Sequence, residues 1–214
     1  MKIKILVIFF LALIFSFIIY DVTLTNRKSI LMLGDNHLTN NEYKTYDKYL
    51  YDDLKNDVVF FNELFTLDKN NYKDILNDIK NNKYVVSKNK KIYLNQLISK
   101  SNIIILNANN EEYFNKCNKS DSILKEYDKK IYDDLNNLIN VINKISTAKI
   151  IIIGNYCINK DNNNLNKLYK NYNYINMFDL TKNKENISSF KTFKLSNNGN
   201  YELYKSVKLL QNDK

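Results

Sequence analysis

The sequence predicts an α/β domain in which a five-stranded parallel sheet carries helices on both faces. Three observations support this expectation. Short β-branched apolar runs recur along the chain, amphipathic stretches of helical period separate them, and 214 residues suit one full-sized domain with an appendage.

The apolar runs are Ser29–Gly34 (SILMLG), Val58–Phe61 (VVFF), Asn102–Ala108 (NIIILNA), Lys149–Gly154 (KIIIIG) and Tyr174–Leu180 (YINMFDL). Each has the length and composition of a strand buried on both sides, so five strands are expected. Between them, Tyr43–Lys55 places Tyr46, Leu50 and Leu54 on one side of a helix, and Tyr72–Lys80 does the same with Ile75 and Ile79. Asp121–Ile145 repeats Ile123, Leu124, Ile131, Leu135, Leu138 and Ile142, and a last helix is expected over Asn197–Leu210. Strands separated by such helices form a parallel sheet, because the crossover needs a helix's length to return to the starting edge. The polar runs Asn81–Lys91 and Asn159–Asn166 read as surface loops, and no repeat or Gly/Ser linker divides the chain. The expected architecture is three-layered α/β/α and flavodoxin-like.

The first twenty residues have a different character. Lys2 and Lys4 precede Ile5–Tyr20 (ILVIFFLALIFSFIIY), an uncharged stretch closed by Asp21. It is slightly short for a membrane span, and Val22 and Leu24 extend it. The flank SFIIYDVTLTN offers neither an A-x-A cleavage pattern nor a lipobox cysteine, so the segment reads as an uncleaved signal-anchor, with a cleaved signal as the alternative. Lys2 and Lys4 favour a cytoplasmic N-terminus, and Arg27 and Lys28 weaken the bias. The expected organisation is an anchor over residues 1–20, a tether over 21–27 and an extracytoplasmic domain over 28–214 of a single-pass protein of the cell membrane.

The formal charge is +9, in a chain rich in Asn, Lys, Ile and Tyr. Lys alternates with Asp and Asn along the chain instead of clustering on one stripe, which reads as a solvated mixed-charge surface and argues against a nucleic-acid partner. A weak attraction to anionic headgroups or wall polymers is compatible with it. Two cysteines, Cys117 and Cys157, have no metal-site spacing, and both a disulfide and two independent thiols stay open. His37 is the single histidine, which excludes a multi-histidine zinc site and any Ser–His pair elsewhere. No cofactor is expected.

In an open parallel sheet, ligands bind beyond the carboxyl ends of the strands. That rule selects Gly34-Asp35-Asn36-His37 after the first strand, Asn107–Glu111 after the third, Asn155-Tyr156-Cys157 after the fourth, and the residues before the last helix. At three of these places the chain resembles the SGNH, or GDSL, hydrolase family. Gly34-Asp35-Asn36 stands where that family has Gly-Asp-Ser, and Ala108-Asn109-Asn110-Glu111 stands where it has Gly-x-Asn-Asp. KTFKLSNNGNYELYKSV is similar to the family's Asp-x-x-His-Leu-Ser-x-x-Gly-x-Tyr block, with Lys191 in place of Asp and Lys194 in place of His. The segment Leu195–Tyr201 carries the resemblance best, since its Gly and Tyr hold their places.

The resemblance implies an ester-hydrolase fold in which the triad positions are Asn36, Lys191 and Lys194. A serine attacks an ester only when a base removes its proton and a carboxylate orients that base. The carboxamide nitrogen of Asn36 is delocalised and not nucleophilic. Lys194 would need a strongly lowered pKa to act as base, and Lys191 adds like charge instead of a carboxylate. Part of an oxyanion hole is retained, in the side chain of Asn110 and the backbone N–H of Asn36. The glycine that completes it after the family's second strand has no counterpart in FFNELFTLDKNNYKDIL.

His37 reads as a histidine beside the cleft, Asp35 as a structural hydrogen-bonding residue, and Gly34 as a builder of the turn; Glu111 lies on the cleft's rim. The leading expectation is an anchored protein without ester-hydrolase activity that binds or scaffolds an acylated or glycan-type ligand at the cell surface. The alternative is a family esterase or acyl hydrolase working through a non-standard site.

Overall fold

The computed structural model describes residues 28–34, 43–55, 58–60, 71–87, 90–116, 120–155, 163–189 and 194–212. The candidate anchor and tether, Asp35, Asn36, His37, Lys191, Cys117 and Cys157 lie outside the described residues. Among the described residues no helix is long and apolar enough to cross a membrane.

Five strands form one sheet: β1 (Lys28–Gly34), β2 (Val58–Phe60), β5 (Ile103–Asn107), β6 (Lys149–Ile153) and β7 (Asn173–Ile175). Their order is β2-β1-β5-β6-β7, every neighbouring pair is parallel, and this is the flavodoxin-like order. The expected α/β/α architecture is thus present.

Successive residues of a strand point to opposite faces, and the core divides accordingly. On one face Leu31, Leu33, Ile104, Leu106 and Ile152 pack under α2 (Tyr72–Lys80), α3 (Leu94–Lys100), α5 (Asp121–Ile145) and α6 (Asn163–Tyr169). On the other, Ile30, Met32, Ile103, Ile105, Ile151 and Ile153 pack under α1 (Tyr46–Leu54), α7 (Met177–Thr181) and α8 (Asn197–Asn212). This two-sided burial is why the strands read as unbroken Ile/Leu runs instead of alternating patterns.

The helices expected over Tyr72–Lys80 and Asp121–Ile145 have these bounds in the structure. Asn71 starts the first of them, since its Oδ1 accepts from Asp74 N at 2.8 Å while its Nδ2 donates to the Asp74 carboxylate at 2.9 Å, a reciprocal cap of two first-turn groups.

Three readings need correction. The run Tyr174–Leu180 is strand only to Ile175; Asn176 accepts from Phe178 N at 3.1 Å, and this cap turns the remainder into α7. The expected loop Asn81–Lys91 contains most of an antiparallel hairpin, β3 (Tyr84–Ser87) with β4 (Lys90–Tyr93). Asn82, at φ 45°, turns the chain out of α2 in the left-handed region that Asn tolerates. Val85 and Ile92 then pack inward, and the opposed Tyr84 and Tyr93 rings sit 5.4 Å apart. The second expected loop also runs into a helix, because α6 starts at Asn163.

Candidate functional site

The carboxyl ends of β1, β5 and β6 meet in a group of buried carboxamides. Gly34 and Asn107 are paired in register at the ends of β1 and β5. The approach is so close that a Cβ on Gly34 would lie 1.5 Å from the Asn107 carbonyl oxygen, and Gly34 has φ +152°. No other residue fits there. Gly34 therefore sets the spacing between the first strand's turn and the segment that follows β5.

That segment is Ala108-Asn109, leading into α4 (Asn110–Lys116). Asn109 has φ 67°, a conformation in which Asn is one of the few tolerated side-chain-bearing residues. Its side chain accepts from Tyr72 N at 3.1 Å and so ties the start of α2 to the end of β5. Asn110 Nδ2 donates to Asn107 Oδ1 at 2.5 Å. Asn155, beyond β6, donates through Nδ2 to the Ala108 carbonyl at 2.7 Å and to Asn110 Oδ1 at 3.0 Å. Asn107, Asn109, Asn110 and Asn155 are all buried, and a buried amide without partners would be costly, so the mutual pairing fixes the turn.

The sequence marks Asn155 and Asn107 only by their places at strand ends. Their signal in the sequence is an asparagine directly after an apolar run, where a carboxamide can replace the backbone pairing that the strand gives up.

Below this group, Tyr113 of α4 donates its hydroxyl to Asp128 of α5 at 2.8 Å, and Asn164 of α6 donates to the other carboxylate oxygen at 2.9 Å. Asp128 is buried with no cation against it in these contacts, and burial raises its carboxyl above the usual range, the two hydrogen bonds opposing the shift. Burial, reinforced by the charge of Asp128, likewise pushes the Tyr113 phenol well up. The three groups hold the start of α4 against α5 and α6 as neutral donors and a shielded acceptor.

The last strand-end region is built around Ser196. Its Oγ accepts from Gly199 N at 3.1 Å, which caps α8, and donates to the Glu185 carbonyl at 2.5 Å. A Cβ on Gly199 would lie 2.1 Å from the Asn186 carbonyl oxygen, so α8 can dock on the 3-10 turn Lys184–Asn186 only with glycine there. Asn200 accepts from Tyr46 N at 3.3 Å and links α8 to α1. The Leu-Ser-x-x-Gly-x-Tyr pattern is thus an anchor for the last helix. Lys194 is half-buried in β9 (Lys194–Leu195), which pairs with β8 (Ile187–Ser189), and its carbonyl accepts from Ser188 Oγ at 3.0 Å.

The structure therefore brings Gly34 and Asn110 together through Asn107, and leaves Glu111 exposed on the first turn of α4. The expected meeting of Asn36, Asn110 and Lys194 has one member outside the described residues. Among the described residues no group of His, Cys, Asp and Glu could hold a metal ion. A cavity of about 710 Å³ opens beside β7 and α8, lined by Asn176, Asp179, Asn198, Glu202 and Leu209 among others; Asn107, Asn109, Asn110 and Asn155 do not border it.

The chain has the fold of a lipase. It superposes on the crystal structure of a lipase from a goat rumen metagenome with a TM-score of 0.62, covering 86% of this chain and 97% of that one. Identity is 12%, so the likeness is one of fold and carries no side-chain chemistry with it. No family model and no curated protein matches the chain.

Proposed function

We propose that the chain is an SGNH-type hydrolase fold, held at the outer face of the cell membrane by its N-terminal segment, that binds an acylated or glycan-type ligand without hydrolysing esters. This reading is supported by the lipase-like fold, taken with the sequence resemblance that puts Asn36, Lys191 and Lys194 where the family has its triad. A fold retained around a nucleophile-free turn keeps its shape and its hydrogen-bond donors while losing the proton transfer that ester attack requires.

The carboxamide group supports the same reading. Asn110 is held on both sides by Asn107 and Asn155, so its first duty is to hold together the buried group that would form the floor of a cleft here. In a ligand complex the donors of that floor and the backbone N–H of Asn36 would face a carbonyl or hydroxyl oxygen. Glu111, Asp35 and His37 would stand at the rim.

The test is restoration. Asn36→Ser, Lys191→Asp and Lys194→His together should produce turnover of a short-chain nitrophenyl ester at least ~100-fold above the unmodified chain, the order expected for a general base acting on a positioned nucleophile. A folded triple variant with no turnover would show that the three positions do not converge and would remove the family reading.

A further inference from the structure

We infer that the end of the domain where the strands begin is a basic face that lies on the anionic headgroups of the bilayer, so that the candidate cleft points away from the membrane. The inference rests on the anchoring reading above and adds an orientation to it.

In a parallel α/β sheet the crossover helices run back against the strands, so the C-termini that lead into the next strand and the strand starts gather at one end. Here that end carries exposed Lys28 at the start of β1, Lys55 before β2, Lys100 at the close of α3, Lys144 at the close of α5 and Lys170 before β7. The described residues of these turns include no acid. Asp57, in the turn before β2, lies outside the described residues, and Asp52 and Asp53 of α1 are paired with Lys44 at 2.6 Å and Lys208 at 2.6 Å. Acids gather in the helix first turns at the opposite end, among them Asp47, Asp74 and Asp121. The preference of cations for helix C-termini sorts charge this way in α2 and α5, with an acid in the first turn and a lysine in the last, and parallel topology adds such contributions at one end.

Position selects lipid as the partner. Lys28 opens β1, and only residues 21–27 separate it from the uncharged stretch Ile5–Tyr20. Seven residues reach at most about 25 Å, so in an anchored chain this is the end tethered within reach of the bilayer. Each lysine near an anionic surface adds attraction that salt screens. β1, at about 3.3 Å per residue, puts Gly34 and the carboxamide floor roughly 20 Å farther out, beyond the lipid surface. The ligand would then be a molecule outside the bilayer.

The chain contains no tryptophan, so a single introduced one reports its own surroundings. Thr147→Trp, in the exposed turn before β6, and Ile123→Trp, at the opposite end of α5, are made in the full chain and reconstituted with phosphatidylcholine vesicles, with and without phosphatidylglycerol, carrying a headgroup quencher. In anionic vesicles the emission of Thr147→Trp should be quenched at least twofold more than that of Ile123→Trp. Reversal of Lys55, Lys100, Lys144 and Lys170 to Glu, or ~1 M salt, where the screening length is about 3 Å, should abolish the difference, and replacement by Gln should reduce it.

Flotation separates the two readings. A chain that floats with neutral vesicles but shows equal quenching at both sites keeps its anchor and overturns the basic-face inference. A chain that floats only with anionic vesicles, and loses this on charge reversal, overturns the anchor and supports the face. Floating with neither overturns both, and displacement from anionic vesicles by an equal charge of duplex DNA would reassign the face to nucleic acid.

Discussion

At the scale of single residues, the site is governed by close approach and by buried polarity. Gly34 and Gly199 stand where a Cβ would overlap a neighbouring carbonyl, so these two of the chain's three glycines occupy positions that no other residue can. Asp128 illustrates the second constraint. Its folded pKa is raised, so the folded state retains a proton above the ordinary carboxylate value near 3.9. Its contribution to stability is therefore fullest below that value and declines as pH rises through the window up to the raised folded pKa. Asp128→Asn, with a flip of the Asn164 amide, keeps partners for Tyr113 and Asn164 and removes the buried charge. Urea denaturation should show the variant gaining on the parent at pH 7 and losing that gain at pH 4. An equal difference at both values would mean that the carboxyl titrates alike in both states.

At the scale of elements, most of the framework was legible because the period of the apolar pattern is set by burial. β1, β5 and β6, and the helices α2 and α5, fall where that pattern puts them. The errors arose where local capping or pairing overrode composition. Asn176 cuts a seven-residue apolar run in two, and the Asn- and Lys-rich stretch after α2 pairs as a hairpin because Val85 and Ile92 find the core. The strand-end asparagines were visible as residues, but their mutual pairing was not, since it joins positions 107, 110 and 155 across two strands. The block before α8 was recognised by likeness, and its physical content is a cap. Ser196→Ala removes an acceptor from Gly199 N and a donor to Glu185, and should cost about 1 kcal/mol of unfolding free energy. Denaturant unfolding reads this directly, and a change below a few tenths would mean that the capping bond is not maintained in solution.

At the scale of the molecule, fold alone does not carry activity. A sheet of order β2-β1-β5-β6-β7 with helices on both faces needs only apolar periodicity and a few tight turns, and those are preserved at 12% identity to a lipase. Ester hydrolysis needs in addition a nucleophile, a base and an orienting acid, and under the function proposed above those places are held by Asn36, Lys194 and Lys191. The turns before the strands also carry exposed lysines, so an anchored chain with this face on the bilayer would hold its carboxamide group outward.

The most direct measurement is ester turnover by the unmodified chain, assayed beside Asn110→Ala across a panel of short- and long-chain acyl esters. The account predicts no hydrolysis above the uncatalysed rate for either protein. Turnover by the unmodified chain that falls at least ~10-fold on removal of Asn110, as loss of an oxyanion donor would require, would contradict it.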